Sequence, residues 1–232
     1  MIELPFRDRR DAGQQLGGYL AKLDFDFRQK AMLLGLARGG VSVAAEVAAL
    51  LHLPLDMVVV RKLGFPGQNE LAMGAVAGGR IQVLDNELIE ECRIPSGEVE
   101  KIAAKAIEEA SWRERYYRAD RAAPDLHDST VILVDDGLAT GSSMLAAMHY
   151  VNSFKPKKVI AAAPVGTEEA CSRLKNFTDA CVCLATPQGF HAVGQCYLDF
   201  TQVTDDEVRQ ILEQNDQRAG REQQGPLTRV RP

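Results

Sequence analysis

Short, unbroken apolar runs alternate with amphipathic stretches along most of the chain. AMLLGL (31–36), LDMVVV (55–60), VILV (131–134), KKVIAAAPVG (157–166) and DACVCLATP (179–187) are brief and apolar throughout. Each reads as a strand buried on both faces. Between them the spacing turns helical. Residues 8–23 predict a helix, weakened by Gly13, Gly17 and Gly18. Residues 41–52 predict an Ala-rich helix, and MLAAMHYVNSF another. Pro95-Ser96-Gly97-Glu98 opens a long polar helix over 98–120, with Trp112, Tyr116 and Tyr117 placed to pack one side on the body. Thr167 caps a short helix with Glu168 and Glu169 in its first turn, and Thr204-Asp205-Asp206-Glu207 opens a last one. Residues 63–71 carry glycines and a proline among polar residues and predict a loop. Residues 72–84 predict a small hairpin around Gly78-Gly79. Residues 31–60 form a strand–helix–strand unit, whose strands should run parallel. The fold expected is α/β, a mostly parallel sheet flanked by helices on both faces. Residues 1–218 read as a single domain and 219–232 as a polar, disordered tail.

Composition narrows this picture. With 232 residues, 46% of them hydrophobic, the chain can bury one sizeable core. The net charge is −5 and no Lys/Arg block suggests a nucleic-acid surface. No apolar stretch reaches the ~18 residues of a membrane span. The first residues lack the pattern of a secretory signal. The five cysteines, Cys92, Cys171, Cys181, Cys183 and Cys196, are odd in number and sit in apolar or helical contexts. They read as buried small residues in a reducing cytoplasm. The side chains of Cys181 and Cys183 are taken to point to opposite strand faces, making them poor co-ligands for one metal. His52, His127 and His149 lack acidic partners at metal spacing and read as structural, and His191 as a surface residue.

The candidate chemistry lies at the carboxyl ends of the predicted strands, where ligands bind in such sheets. VILV runs into Asp135-Asp136, then into Gly137-Leu138-Ala139-Thr140-Gly141-Ser142-Ser143 and a helix. Free N–H groups at a helix start can hold a phosphate, and adjacent carboxylates can take sugar hydroxyls or a hard divalent cation. Together they suit a phosphorylated ribose. Ala37-Arg38-Gly39-Gly40 joins the first strand to its helix; its glycines serve either close backbone approach to a ligand or simple punctuation. Arg61-Lys62 ends the second strand, as snorkelling charges or as compensation for a pyrophosphate. Phe190, Tyr197 and Phe200 are either core or a stacking wall for a flat base. The absence of Gly-Lys-Ser/Thr excludes a P-loop.

VILVDDGLATG resembles the phosphoribosyl pyrophosphate signature of type I phosphoribosyltransferases, and LLGLARGG their pyrophosphate loop. VVVRKLGFPGQNELAMGAV and TPQGFHAVGQCYLDFTQVTDDEV are similar to a bacterial and archaeal group of undefined acceptor. The resemblance covers about residues 4–213. It implies Mg²⁺-dependent transfer between 5-phosphoribosyl 1-pyrophosphate and a nitrogenous acceptor, with pyrophosphate released. Asp135 and Asp136 would hold the ribose hydroxyls, directly or through Mg²⁺. Backbone N–H groups of 137–142, with Thr140, Ser142 and Ser143, would hold the 5′-phosphate. Ala37, Arg38, Gly39 and Gly40, with Lys62, would hold the pyrophosphate. Residues 63–71 would be a mobile cover and 186–200 a small hood over the base. Members of this fold commonly pair, so a homodimer is expected. Purine salvage members place an Asp where this chain has Ala139, so the acceptor arrives anionic or its base lies elsewhere, with Glu70 a candidate. A non-catalytic binder of the diphosphate or of a nucleotide is the alternative. A sugar-phosphate hydrolase or kinase is a weaker third reading.

Overall fold

The computed structural model describes residues 4–23, 25, 30–65, 68–119 and 121–223, without the side chains of 68–72 and 219–223. Seven strands form one sheet in the order β4-β3-β2-β1-β5-β6-β7. The strands are β1 (Ala31–Ala37), β2 (Leu55–Phe65), β3 (Gln68–Ala77), β4 (Ile81–Leu84), β5 (Thr130–Val134), β6 (Lys158–Val165) and β7 (Ala180–Ala185). β2, β1, β5, β6 and β7 run parallel, and β3 and β4 extend the sheet antiparallel. The helices are α1 (Arg9–Leu20), α2 (Gly39–Leu51), α3 (Asn86–Glu91), α4 (Ser96–Arg118), α5 (Ser142–Asn152), α6 (Glu168–Leu174) and α7 (Asp205–Gln223).

The unbroken apolar runs are explained by burial on both faces. Ile132 and Val134 of β5 join a core formed with α1, α2, α4 and α7. Val131 and Leu133, the alternate residues, join a second core under α5 and α6. Neither face of the strand meets water, so no polar alternation survives in its sequence.

The chain leaves the sheet centre in two directions. β1 leads outward to β2, while β5 leads the other way to β6 and β7. The carboxyl ends of β1 and β5 therefore flank a crevice, the topological switch point where parallel sheets bind ligands.

Several expectations need correction. Residues 63–71 are not a free loop: β2 continues to Phe65 and β3 begins at Gln68, so most of the segment is a two-stranded antiparallel arm. Leu63 pairs with Gly74 and Phe65 with Gln68 across it, with irregular register between. Lys62 therefore sits inside β2, not at its exit. Residues 66 and 67 lie outside the described residues. Cys181 and Cys183 share a face of β7, because strand side chains alternate with a period of two. The last helix continues to Gln223, past the expected boundary at 218; residues 224–232 are outside the described part. The short helix α3, capped by Asp85, was not expected. Of the three aromatics on α4, Tyr117 is buried while Trp112 is half exposed. Its last turn carries Arg118, whose guanidinium meets Asp56 of β2 at 2.5 Å with both side chains buried.

Candidate functional site

The site assembles from the β1–α2 turn, the β5–α5 loop, the segment after β7, Lys62 of β2 and the first turn of α1. Asp135 and Asp136 follow β5 directly. Their carboxylates lie against the β1–α2 turn: a Cβ on Gly39 would stand 1.9 Å from Asp136 Oδ2, and one on Gly40 would stand 2.5 Å from Val134 O. Glycine is required here by close approach within the protein itself, to the Asp136 carboxylate and the Val134 backbone. The Ala37–Arg38 peptide is cis.

Each carboxylate commits one oxygen to the protein. Asp135 Oδ1 accepts the Asp136 N–H at 2.9 Å. Asp136 Oδ2 accepts Arg9 Nε at 2.8 Å. The second oxygen of each is the natural acceptor for a diol or ligand for a cation. Burial pushes the Asp135 carboxyl well above the usual range, and the neighbouring Asp136 charge adds to the rise while Lys62 and Arg9 oppose it. Burial likewise raises Asp136, against the opposing Arg9 charge. Two desolvated carboxylates side by side favour a cation between them. Their hard oxygen donors suit Mg²⁺ better than a soft metal.

Lys62, Asp135 and residues 137–144 line a cavity of about 200 Å³, together with Val193. Gly141 takes φ 73°, a left-handed conformation suited to glycine, immediately before α5. The first N–H groups of α5 have no intrahelical acceptor. Thr140 Oγ1 lies 3.0 Å from Ser142 Oγ, so the two hydroxyls meet at the rim. Thr140 and Ala139 are exposed, and Ser142 and Ser143 partly so.

Not every candidate faces the cavity with free groups. The Leu138 N–H donates to Val165 O at 2.9 Å and its carbonyl accepts the Thr167 N–H at 3.0 Å. Leu138 is thus a buried anchor for the loop, with its N–H already used. Thr167 Oγ1 also donates to Ala139 O at 2.9 Å. Arg38 lies 3.7 Å from Asp205 at the start of α7, which also accepts Tyr117 OH at 2.5 Å. The Arg38 side chain is therefore tied to α7, and the Ala37–Gly40 turn presents its backbone instead. Lys62 is exposed and lines the cavity, while Arg61 alternates away to pair with Glu109 of α4.

The three aromatics of this segment differ in burial, with Phe190 half-buried and Phe200 exposed. Tyr197 is buried and its ring lies between Phe6 and Phe200, at centroid distances of 5.6 and 5.0 Å. Its hydroxyl donates to Asp136 O at 2.6 Å. Phe200 carries the Arg9 guanidinium over its ring at 3.9 Å. Phe190 packs beside the Phe6–Tyr197 cluster. The core reading thus describes Tyr197, and these rings brace Asp136. The N-terminal segment belongs to the same unit: Phe6 N–H donates to Cys196 O, and Leu198 N–H to Phe6 O, each at 2.8 Å.

Arg9 is the site residue that sequence reasoning missed. It also donates to Thr201 O at 2.7 Å, so one side chain joins α1, the carboxylate pair and the segment that leads into α7. Only tertiary structure reveals it, because 127 residues separate Arg9 from Asp136. Glu70 lies in β3, its side chain outside the described residues.

The α/β fold thus brings paired carboxylates and a glycine-led helix start together at the switch point of the sheet. Residues 7–201 match the family model of the phosphoribosyl transferase domain, and the chain belongs to that family. It is 40% identical over 208 residues to the Mycobacterium tuberculosis protein named "Putative phosphoribosyl transferase", covering 90% of this chain. The chain spans about half the length of that relative, 46%. The crystal structure of TT1426 from Thermus thermophilus matches at 43% identity and a TM-score of 0.76, covering 91% of this chain and 99% of that one. Among the described residues no helix is long and apolar enough to cross a membrane.

Proposed function

We propose that the protein transfers a phosphoribosyl group between 5-phosphoribosyl 1-pyrophosphate and a nitrogenous acceptor, with Mg²⁺ and release of pyrophosphate. The observation that carries this reading is the contact of Gly39 with Asp136, which brings the pyrophosphate turn onto the ribose carboxylates beside the α5 cradle. Asp135 and Asp136 would hold the cation and the ribose hydroxyls. Bound there, Mg²⁺ would neutralise the departing pyrophosphate. The N–H groups of Thr140, Gly141 and the first turn of α5, with the Thr140, Ser142 and Ser143 hydroxyls, take the 5′-phosphate. The backbone of Ala37–Gly40 and the Lys62 ammonium take the pyrophosphate. Positioning and electrostatics then carry the reaction as the ribosyl carbon gains positive character. At about 200 Å³ the cavity is smaller than an ordinary whole-ligand pocket of ~300 Å³ or more. It suits the phosphate end of the substrate, leaving the acceptor to enter from the hood side. The same reading takes the chain through the end of α7 as one cytoplasmic domain that self-associates.

One observation favours a second reading. Ala139 is exposed where an acidic base would stand, which fits a non-catalytic sensor of the diphosphate or of a nucleotide. Pyrophosphate release, measured with Mg²⁺ across neutral purines, neutral pyrimidines and anionic bases such as orotate, separates the two. Transfer predicts release with at least one acceptor, favouring an anionic one. Binding of the diphosphate with no release across the panel supports the sensor.

A further inference from the structure

Three thiols converge at the far end of the sheet, outside the ribose-phosphate site. Cys181 and Cys183 project from one face of the edge strand β7, and Cys171 reaches them from α6. Their sulfur atoms all lie within 4.8 Å of one another, and Cys171 Sγ is 2.6 Å from Cys183 Sγ. All three are free of disulfides.

We propose that Cys171, Cys181 and Cys183 form a trithiolate site for a thiophilic divalent cation of the Zn²⁺ type. Thiolate sulfur is a soft ligand that selects such ions over Mg²⁺. Three protein ligands leave a fourth position for water or an external ligand. Tetrahedral Zn–S bonds of about 2.3 Å place the sulfurs about 3.8 Å apart, within the present envelope. The Cys171–Cys183 gap must then widen by about 1 Å, a small side-chain rotation. Thiols bind such an ion as thiolates and release protons as they do so, so affinity rises with pH.

The site stands behind the phosphate loop. A Cβ on Gly166 would lie 3.1 Å from Cys183 Sγ, 3.2 Å from Cys171 Sγ and 3.0 Å from Leu138 Cβ. Leu138 is the anchor of the 137–141 loop, so an ion here would brace that loop from behind. The cation site does not depend on the proposed transfer activity.

The test uses the full chain, reduced and stripped of metal. Cd²⁺ is titrated while thiolate-to-cadmium absorption is followed, and Zn²⁺ is then titrated in competition with a chromophoric chelator. The expected result is saturation at one ion per chain, with bound ion shielding Cys171, Cys181 and Cys183 from alkylation but not exposed Cys92. Losing an outer partner of a metal ligand costs about 10–100-fold in affinity. C171S, C181S or C183S should cost at least as much, and C92S nothing. The shielding readout needs no variant and so stands even where a substitution impairs folding. Absence of a saturable band, an unchanged band in folded C183S, or a Cys171–Cys183 disulfide in place of bound ion would overturn the proposal.

Discussion

Asp135 concentrates the conflict between stability and function at one residue. Its carboxyl is raised in the folded state, so folding takes up protons there as pH falls. The stability penalty of its charge is absent below the ordinary carboxylate range, grows as pH rises, and is complete above the raised folded value. Asp135→Asn keeps the oxygen that accepts the Asp136 N–H and removes the buried charge. We expect it to raise the thermal midpoint at neutral pH by about 2–4 °C, the shift that about 1 kcal/mol gives in a chain of this size. The same variant should lose Mg²⁺-dependent ligand binding. A scanning-calorimetry midpoint that falls at neutral pH would contradict this account. Arg9→Gln removes the charge partner of Asp136 and should raise the pair further. Binding of the Mg²⁺–diphosphate complex should then need a higher pH than in the wild type, a shift readable in titrations at several pH values.

At the scale of elements, close approach sets what each segment tolerates. Gly39→Ala would drive a methyl into Asp136 Oδ2, and overpacking of this kind costs about 1–3 kcal/mol. We expect circular dichroism to show a folded protein whose affinity for the diphosphate drops more than its stability does. Arg118→Met would strand Asp56 unpaired and buried between α4 and β2, a loss of about 3–5 kcal/mol measurable by urea unfolding. These elements also show what was legible beforehand. The strands could be read because burial on both faces leaves uniform apolar runs, and α7 because Thr204 and Glu207 form a reciprocal capping box. The α1 signal was weak for a tertiary reason: a Cβ on Gly13 would lie 2.7 Å from Val43 O, so helix propensity yields to packing against α2. The 63–71 segment misled because glycine and proline punctuate a bulged antiparallel arm as readily as a loop. The thiol cluster was set aside because Cys181 and Cys183, two residues apart, were assigned opposite faces of the strand, and because Cys171 comes from a different element than β7.

For the whole molecule, the sheet brings together groups that the sequence scatters. Asp135, Asp136 and the 137–143 loop were legible because they are contiguous. The 37–40 turn could be placed because strand ends in a parallel sheet face one edge, whereas Lys62 reaches the same cavity from inside β2. Arg9 and the Phe6–Tyr197–Phe200 brace could not, because they depend on how the N-terminal segment folds over the hood. The central claim is that this edge binds 5-phosphoribosyl 1-pyrophosphate through a cation held by two carboxylates. Isothermal titration of the diphosphate into the protein, with and without Mg²⁺, tests it most directly. The account predicts saturable binding to the wild type that requires Mg²⁺ and is lost in the Asp135→Asn, Asp136→Asn double variant, which should remain folded. Wild-type affinity in that variant, or equal affinity without Mg²⁺, would contradict it.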